Sequence, residues 1–463
     1  MSTKSWLPDL IYTDGRFQSD RALVSDGGKI VEIVEASKAP DAIRLKRRAL
    51  LPGMVNAHSH AFQRIIRGRT EHRSQHTTDS FWTWREQMYA AANRLGPEEI
   101  YTASRMAFLE MALTGITAVG EFHYIHHATD GSAYDDPNLL AREVIRAARD
   151  VGIRIALLRV AYARAGFETE PNPQQIRFIE ASPETYLKHL DQLLGAPELK
   201  DGTAWAGVAP HSVRAVPLDY LKTIIAFAKD HDLPTHMHVA EQPAEVSACI
   251  KEYGRSPVAL LATEGLLSKR FTAVHAIHVT PKAINAMAQA GAIVCACPTT
   301  ERNLGDGVVP VDSYFEAGVR VSLGSDSQIQ IDLLEDAREL EYHLRLQRTS
   351  RNVLAPVDDD DRSALAKRLF ECATVSGGRS LGFEGGNLQP GAPADFFTVD
   401  LDDPSIAGSS TSDLLTSVVF SISRAAIRDV VVGGKLIVAN GQHALQQAIV
   451  EEFANVQKKL WAS

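Results

Sequence analysis

From about residue 50 onward, short runs rich in β-branched and aliphatic residues alternate with longer stretches in which apolar positions recur every three to four residues. That is the pattern of βα units feeding a parallel sheet. Eight runs stand out, at 51–58, 116–123, 153–161, 204–210, 233–240, 271–277, 292–296 and 319–325. Eight parallel strands predict an α/β fold, a (β/α)8 TIM-like barrel whose strand carboxyl ends gather on one face. Between the runs, 98–113 carries Ile100, Ala103, Ala107, Leu109, Met111 and Leu113 on a broad apolar stripe, with Gly115 as a stop. Segments 332–346 and 362–375 read as closing helices.

The two ends are patterned differently. Residues 7–50 hold an Asp14-Gly15 turn, an alternating strand, and a Gly27-Gly28 turn before 29–34; the C-terminal part holds strand-like runs at 394–399, 427–432 and 435–438 around Gly433-Gly434. These termini are expected to pair into one small β-sandwich domain. The expected organisation is residues 1–50 with 385–445 in that domain, 51–384 in the barrel, and a C-terminal helix in 446–463.

Composition narrows the partners. The 463 residues carry 48 Lys plus Arg against 57 Asp plus Glu, a net charge of −9, with no basic cluster to meet nucleic acid or an anionic membrane surface. No apolar stretch approaches the ~18 residues of a membrane span, and Pro8 and Asp9 interrupt any leader-like run at the start. Cys249, Cys295, Cys297 and Cys372 are too sparse for a disulfide framework. A cytoplasmic location and structural thiols are the expectation.

The chemistry sits at the ends of the runs. His58-Ser-His60 closes the first, His236-Met-His238-Val-Ala-Glu241 the fifth, His275-Ala-Ile-His278 the sixth and Gly324-Ser325-Asp326 the eighth. Residues two apart on a strand share a face, so His58 and His60 converge at the barrel mouth. With His238 and Asp326 they could surround one divalent metal with a position open for water. Nitrogen and carboxylate donors favour zinc or iron over magnesium or calcium. Glu241, three residues past His238, reaches this site only if the strand ends near Val239; it then becomes a proton carrier, with His275 polarising the water. His236 and His278 are assigned supporting roles.

Those motifs, with Pro52-Gly-Met-Val-Asn56-Ala-His58-Ser-His60 and the terminal Gly391-Ala-Pro-Ala-Asp395-Phe and Val431-Val-Gly-Gly434, resemble the amidohydrolase superfamily over nearly the whole chain. The Glu after the fifth-strand histidine resembles its mononuclear deaminase branch. That resemblance implies His58, His60, His238 and Asp326 as ligands of one metal per subunit, zinc first and iron second, and a homodimer. No lysine marks the fourth strand end, where the binuclear branch would carry one.

Pocket residues narrow the likeness further. Phe81-Trp82-Thr-Trp84-Arg85, Glu121-Phe-His-Tyr124 and His211-Ser-Val-Arg214 resemble the formimidoylglutamate deiminase family of histidine degradation. Carried over residue by residue, the likeness implies Gln63, Arg85, Tyr124, His211 and Arg214 as contacts of a small anionic substrate, N-formimidoyl-L-glutamate, the two arginines taking its carboxylates as guanidinium forks do. Asp326, assisted by His275, would then take the proton of the attacking water, and Glu241 would pass one to the departing nitrogen, giving N-formyl-L-glutamate and ammonia. Two competing readings are a guanine-, cytosine- or adenosine-type deaminase, indifferent to Arg85 and Arg214, and a non-enzymatic scaffold. The loop after the first strand, from Arg64 to Leu95, is expected to carry Arg85 and to lie over the substrate.

Overall fold

Eight parallel strands pair in strict sequence order: Met54–Ser59, Ile116–His123, Arg154–Ala161, Ala204–Pro210, Thr235–Val239, Phe271–His275, Ile293–Ala296 and Arg320–Leu323. The structure is a computed structural model and describes residues 3–73, 79–357 and 361–462. First and eighth strands meet through a parallel bridge between Ser59 and Asp326, reinforced by Asp326 N–H to His58 O at 3.1 Å and His60 N–H to Asp326 O at 3.0 Å. The seam that closes the barrel is thus made of the residues expected to hold the metal.

Seven of the eight strands fall where the hydrophobic pattern puts them, Ile116–His123 and Ala204–Pro210 with the same bounds and the other five trimmed at their ends. The first starts later, because Leu51 and Pro52 belong to a different strand, Ile43–Pro52, which pairs in parallel with Lys4–Thr13 and antiparallel with Phe396–Asp400. The chain passes from one sheet to the next through Gly53 alone, and every residue from Ala49 to Ala61 is buried. An unbroken apolar run of that kind hides the change of sheet from any reading of periodicity.

The strands of both termini form a single nine-stranded mixed sheet. Its two layers arise because the sheet curls: Ile30 N–H donates to Ala392 O at 2.8 Å and Ala394 N–H to Gly28 O at 2.9 Å, tying one end of the sheet to the middle. Trp6, Ile11, Leu23, Ile30, Leu50, Phe396 and Val431 fill the space between, with Trp6 edge-on to Phe396 at 5.1 Å. The two diglycine turns meet there. A Cβ on Gly28, whose φ is +83°, would lie 3.1 Å from the Gly433 carbonyl oxygen, so both backbone conformation and space require glycine.

Helices at Pro97–Leu113, Pro183–Leu194, Pro243–Tyr253, Pro281–Ala290 and Leu333–Arg348 wrap the barrel. Four of these begin on proline, whose missing N–H is no loss in a first turn. The terminal helix Gln446–Trp461 lies on Pro97–Leu113, with Arg105 Nη1 2.7 Å from Glu452 Oε2 and Lys459 Nζ 2.5 Å from Glu99 Oε1. Among the described residues, no helix is long and apolar enough to cross a membrane, and all four cysteines are buried free thiols.

Candidate active site

His58 Nε2 and His60 Nε2 face each other at 3.2 Å, and Asp326 Oδ1 lies 3.2 Å from both. With His238 these side chains form a buried group whose ligand atoms all fall within 4.8 Å of one another. His60 Nδ1 donates to Phe122 O at 3.0 Å and His238 Nδ1 to His211 O at 3.1 Å. Each Nδ1 therefore carries the proton and each Nε2 turns a lone pair toward the common centre, an arrangement that repels unless a cation fills it. Ligands ~2.1 Å from a tetrahedral zinc would lie about 3.4 Å apart, so the spacing fits such an ion. Burial drives the His58 pKa down to about 3 and that of His238 well below its ordinary value, which keeps both imidazoles neutral as ligation requires. Burial opposes charge on Asp326, but the surrounding His58, His60 and His275 rings override it and hold the carboxyl well below its usual range.

Close packing at the seam explains the Gly324-Ser325-Asp326 sequence. A Cβ at Gly324 would stand 2.8 Å from both the Cβ and the carbonyl oxygen of His58. Asn56 braces the seam, its Nδ2 donating to Ser325 Oγ at 2.7 Å while its Oδ1 accepts Ser325 N–H at 3.0 Å. Gln328 Nε2 donates to Ser59 Oγ at 2.8 Å, and Ser59 Oγ donates to Glu121 at 2.6 Å. Ser325 and Ser327 spend their hydroxyls on Asn56, Gln328 and Thr300. They position backbone.

The fifth strand ends at Val239, and Ala240 takes φ +52°. This left-handed residue turns the chain so that Glu241, three positions past His238, still enters the site. Its carboxyl lies 3.7 Å from His275 Nε2. Burial first, then the charges of Asp326 and Glu301, raise the Glu241 pKa despite His275 and Arg214. A raised carboxyl is what a proton carrier near neutrality needs. His275 itself has φ +67°. Its Nδ1 contacts Glu301 Oε1 at 3.1 Å and its Nε2 lies 3.8 Å from Asp326 Oδ2. Burial alone would lower its pKa, but the three surrounding carboxylates push it well above the ordinary value. Glu301 Oε1 also accepts Cys297 N–H at 2.8 Å. The neighbouring His275–Cys297–Glu301 group is therefore a brace for His275.

A cleft opens over these groups, and Gln63, Arg85, Tyr124, His211 and Arg214 all line it. Arg85 is carried by a helix, Phe81–Ala92, where the sequence suggested a loop. Ser80 N–H donating to Thr83 Oγ1 at 3.0 Å starts that helix. Gln63 Nε2 donates to Tyr124 Oη at 3.0 Å. Arg85 and Arg214 both sit against the Trp82 ring, at 4.5 and 5.6 Å. Arg214 is only 9% exposed, yet neither guanidinium has a salt-bridge partner among the described residues, and the Nε of each is buried without a hydrogen bond. Such cations ask for an anion.

Other sequence candidates are placed elsewhere. His236 Nε2 donates to Ser380 O at 2.8 Å and His278 Nε2 to Asp306 O at 2.9 Å, both supporting backbone. Arg64 pairs with Glu110 at 2.5 Å, away from the cleft. Sequence reasoning passed over Tyr89, Tyr162, Leu304 and Met88, which also line the cleft, and the braces Glu301 and Glu245. Only Tyr162 carried a signal, its position one residue beyond the third strand.

Residues 49–437 match the sequence profile of the Amidohydrolase family. The chain belongs to that family, which the barrel, the curled terminal sheet and the His–His–His–Asp group define in structural terms. It is 39% identical over 448 residues to the formimidoylglutamate deiminase of Pseudomonas aeruginosa, covering 96% of this chain and 97% of that one. Among solved structures, an amidohydrolase from Brucella melitensis superposes with a TM-score of 0.91 at 34% identity over 99% of both chains. A zinc-bound adenosine deaminase from Xanthomonas campestris superposes at 0.83 with 21% identity, over 99% and 98% of the two chains, a likeness of fold.

Proposed function

We propose that the protein hydrolyses the formimidoyl group of N-formimidoyl-L-glutamate to give N-formyl-L-glutamate and ammonia. The observation that carries this reading is the pair of arginines, Arg85 and Arg214, set against one indole at the metal-side cleft with no salt bridge of their own among the described residues. The full-length similarity to the Pseudomonas deiminase supports it. His58, His60, His238 and Asp326 would hold one divalent ion, zinc by donor type and by the zinc of the Xanthomonas structure; when bound, such an ion acidifies water toward a pKa of ~7.

The remaining work falls to side chains. Asp326 Oδ1 faces His58 and His60, leaving Oδ2 turned to His275; this oxygen takes the proton of the attacking water, and the His275 cation steadies the charge that builds beside it. Glu241, protonated more readily than an ordinary carboxyl, hands its proton to the amino nitrogen of the tetrahedral carbon; the carbon–nitrogen bond breaks to release ammonia, and the remaining hydroxyl proton returns to the Glu241 carboxylate as the formyl C=O forms. Arg85 and Arg214 hold the glutamate carboxylates and fix the reacting carbon relative to Glu241.

The reading is tested by Arg85→Met and Arg214→Met in metal-loaded protein. Each is expected to lower kcat/KM for N-formimidoyl-L-glutamate by at least about 100-fold, on the order of 3 kcal/mol, with metal content unchanged. Turnover equal to that of the wild type in both variants would contradict it.

A further inference from the structure

We infer that Tyr89 and Tyr162, held in place by Gln175, form an uncharged donor pair for the same substrate carboxylate that Arg85 and Arg214 attract. This rests on reading the cleft as a dicarboxylate site and adds residues that neither the sequence motifs nor that reading names.

Three separate segments build the pair. Tyr89 lies on the Phe81–Ala92 helix, Tyr162 follows the third barrel strand, and Gln175 ends the short 3-10 turn Pro173–Gln175. All three are buried, with Tyr89 at 3% and Tyr162 and Gln175 at 1% exposure, and both tyrosines line the cleft with the two arginines. Gln175 Nε2 donates to Tyr89 Oη at 2.6 Å and to Tyr162 Oη at 2.7 Å. In this orientation of the amide, whose Oε1 is buried without a partner, both amide protons are spent on the phenol oxygens, and each phenol keeps a proton of its own to donate. At most one of these can bridge the two hydroxyls; at least one is left for the cleft.

The surroundings make an anion the fitting acceptor. Arg85 stacks over the Tyr89 ring at 5.4 Å, and both arginines act electrostatically on Tyr162. Burial above all pushes the Tyr162 pKa well above its ordinary value, so the phenol stays neutral and leaves the arginines' charge unsatisfied. The same device recurs across the cleft, where Gln63 Nε2 donates to Tyr124 Oη and the Tyr124 hydroxyl is left with only Met88 Sδ, at 3.3 Å, as acceptor. A weak acceptor such as a thioether leaves that donor available. Two cations and a set of supported phenols favour a carboxylate over a carboxamide, which carries no charge to pair with the guanidiniums.

The test uses full-length, metal-loaded protein with Tyr89→Phe, Tyr162→Phe, the double variant, Gln175→Leu and Gln175→Glu. Readouts are kcat and KM for N-formimidoyl-L-glutamate, calorimetric affinity for the unreactive dicarboxylate N-acetyl-L-glutamate, and thermal unfolding. The double variant is expected to raise KM and Kd by about tenfold or more, with kcat within about threefold and a cooperative unfolding transition retained. Gln175→Glu, which would accept the phenol protons and add negative charge, should weaken binding more than Gln175→Leu. Wild-type affinity in the double variant, or a loss confined to kcat, would overturn the inference while leaving the proposed reaction standing. Failure of the wild-type protein to bind either dicarboxylate would remove the reading beneath it, and the inference with it.

Discussion

Glu241 enters the site through one left-handed residue, Ala240, and sits within 3.7 Å of His275 without touching the ligand atoms. Its removal should therefore separate chemistry from metal binding. Glu241→Ala is expected to lower kcat by about 10²–10⁴-fold while metal analysis still finds the wild-type content; coincident loss of metal would contradict a pure proton-carrying role. At this scale the sequence pointed to His58, His60, His238, Asp326 and Glu241, which the structure brings together, because strand periodicity and strand ends locate them. Glu301, Tyr89, Tyr162 and Gln175 were not legible, since each acts through a partner far along the chain. Gln175 reaches back 86 residues to Tyr89 and Glu301 26 residues to His275, and no local pattern encodes such meetings.

The turn at Ala240 is supported by the helix that follows it. Glu245, in the first turn of Pro243–Tyr253, accepts Glu241 N–H at 3.2 Å, while its Oε1 is buried without a partner. Burial pushes its pKa up to about 7. In the unfolded chain it would titrate near ~4.3, so between those values the folded state binds the extra proton. Stability from this group therefore falls as pH rises from about 4.3 to about 7. Glu245→Gln should remove that slope: the unfolding temperature of wild type relative to the variant is expected to decline from pH 5 to pH 7, and parallel curves would refute it. Elements themselves were read with similar success. The 98–113 apolar stripe became Pro97–Leu113, whereas Phe81–Ala92 was missed because aromatic and polar residues intermix through its first turns and its start depends on the Ser80–Thr83 contact.

Barrel and terminal sheet are joined by charge as well as by packing. Arg154, at the start of the third barrel strand, donates from Nε to Asp395 Oδ2 at 2.7 Å and from Nη2 to Oδ1 at 3.2 Å, and Asp395 Oδ1 also accepts Gly433 N–H at 2.6 Å. Asp395 is 2% exposed. Asp395→Ala leaves the guanidinium without its counter-ion and should cost about 3–5 kcal/mol, read as a lower urea midpoint at unchanged m-value; a shift under 1 kcal/mol would show that packing alone holds the two sheets together. The pairing of the termini was foreseeable from their strand patterns, but their union in one sheet runs through Phe396–Asp400 lying antiparallel on Ile43–Pro52, a pairing that no local pattern encodes. The central claim concerns the substrate. The most direct measurement is ammonia release by metal-loaded protein offered N-formimidoyl-L-glutamate, guanine, cytosine and adenosine in parallel, with chelator-treated protein as control. Rapid, metal-dependent release from N-formimidoyl-L-glutamate alone is the expected result, and release from a base but not from N-formimidoyl-L-glutamate would contradict it.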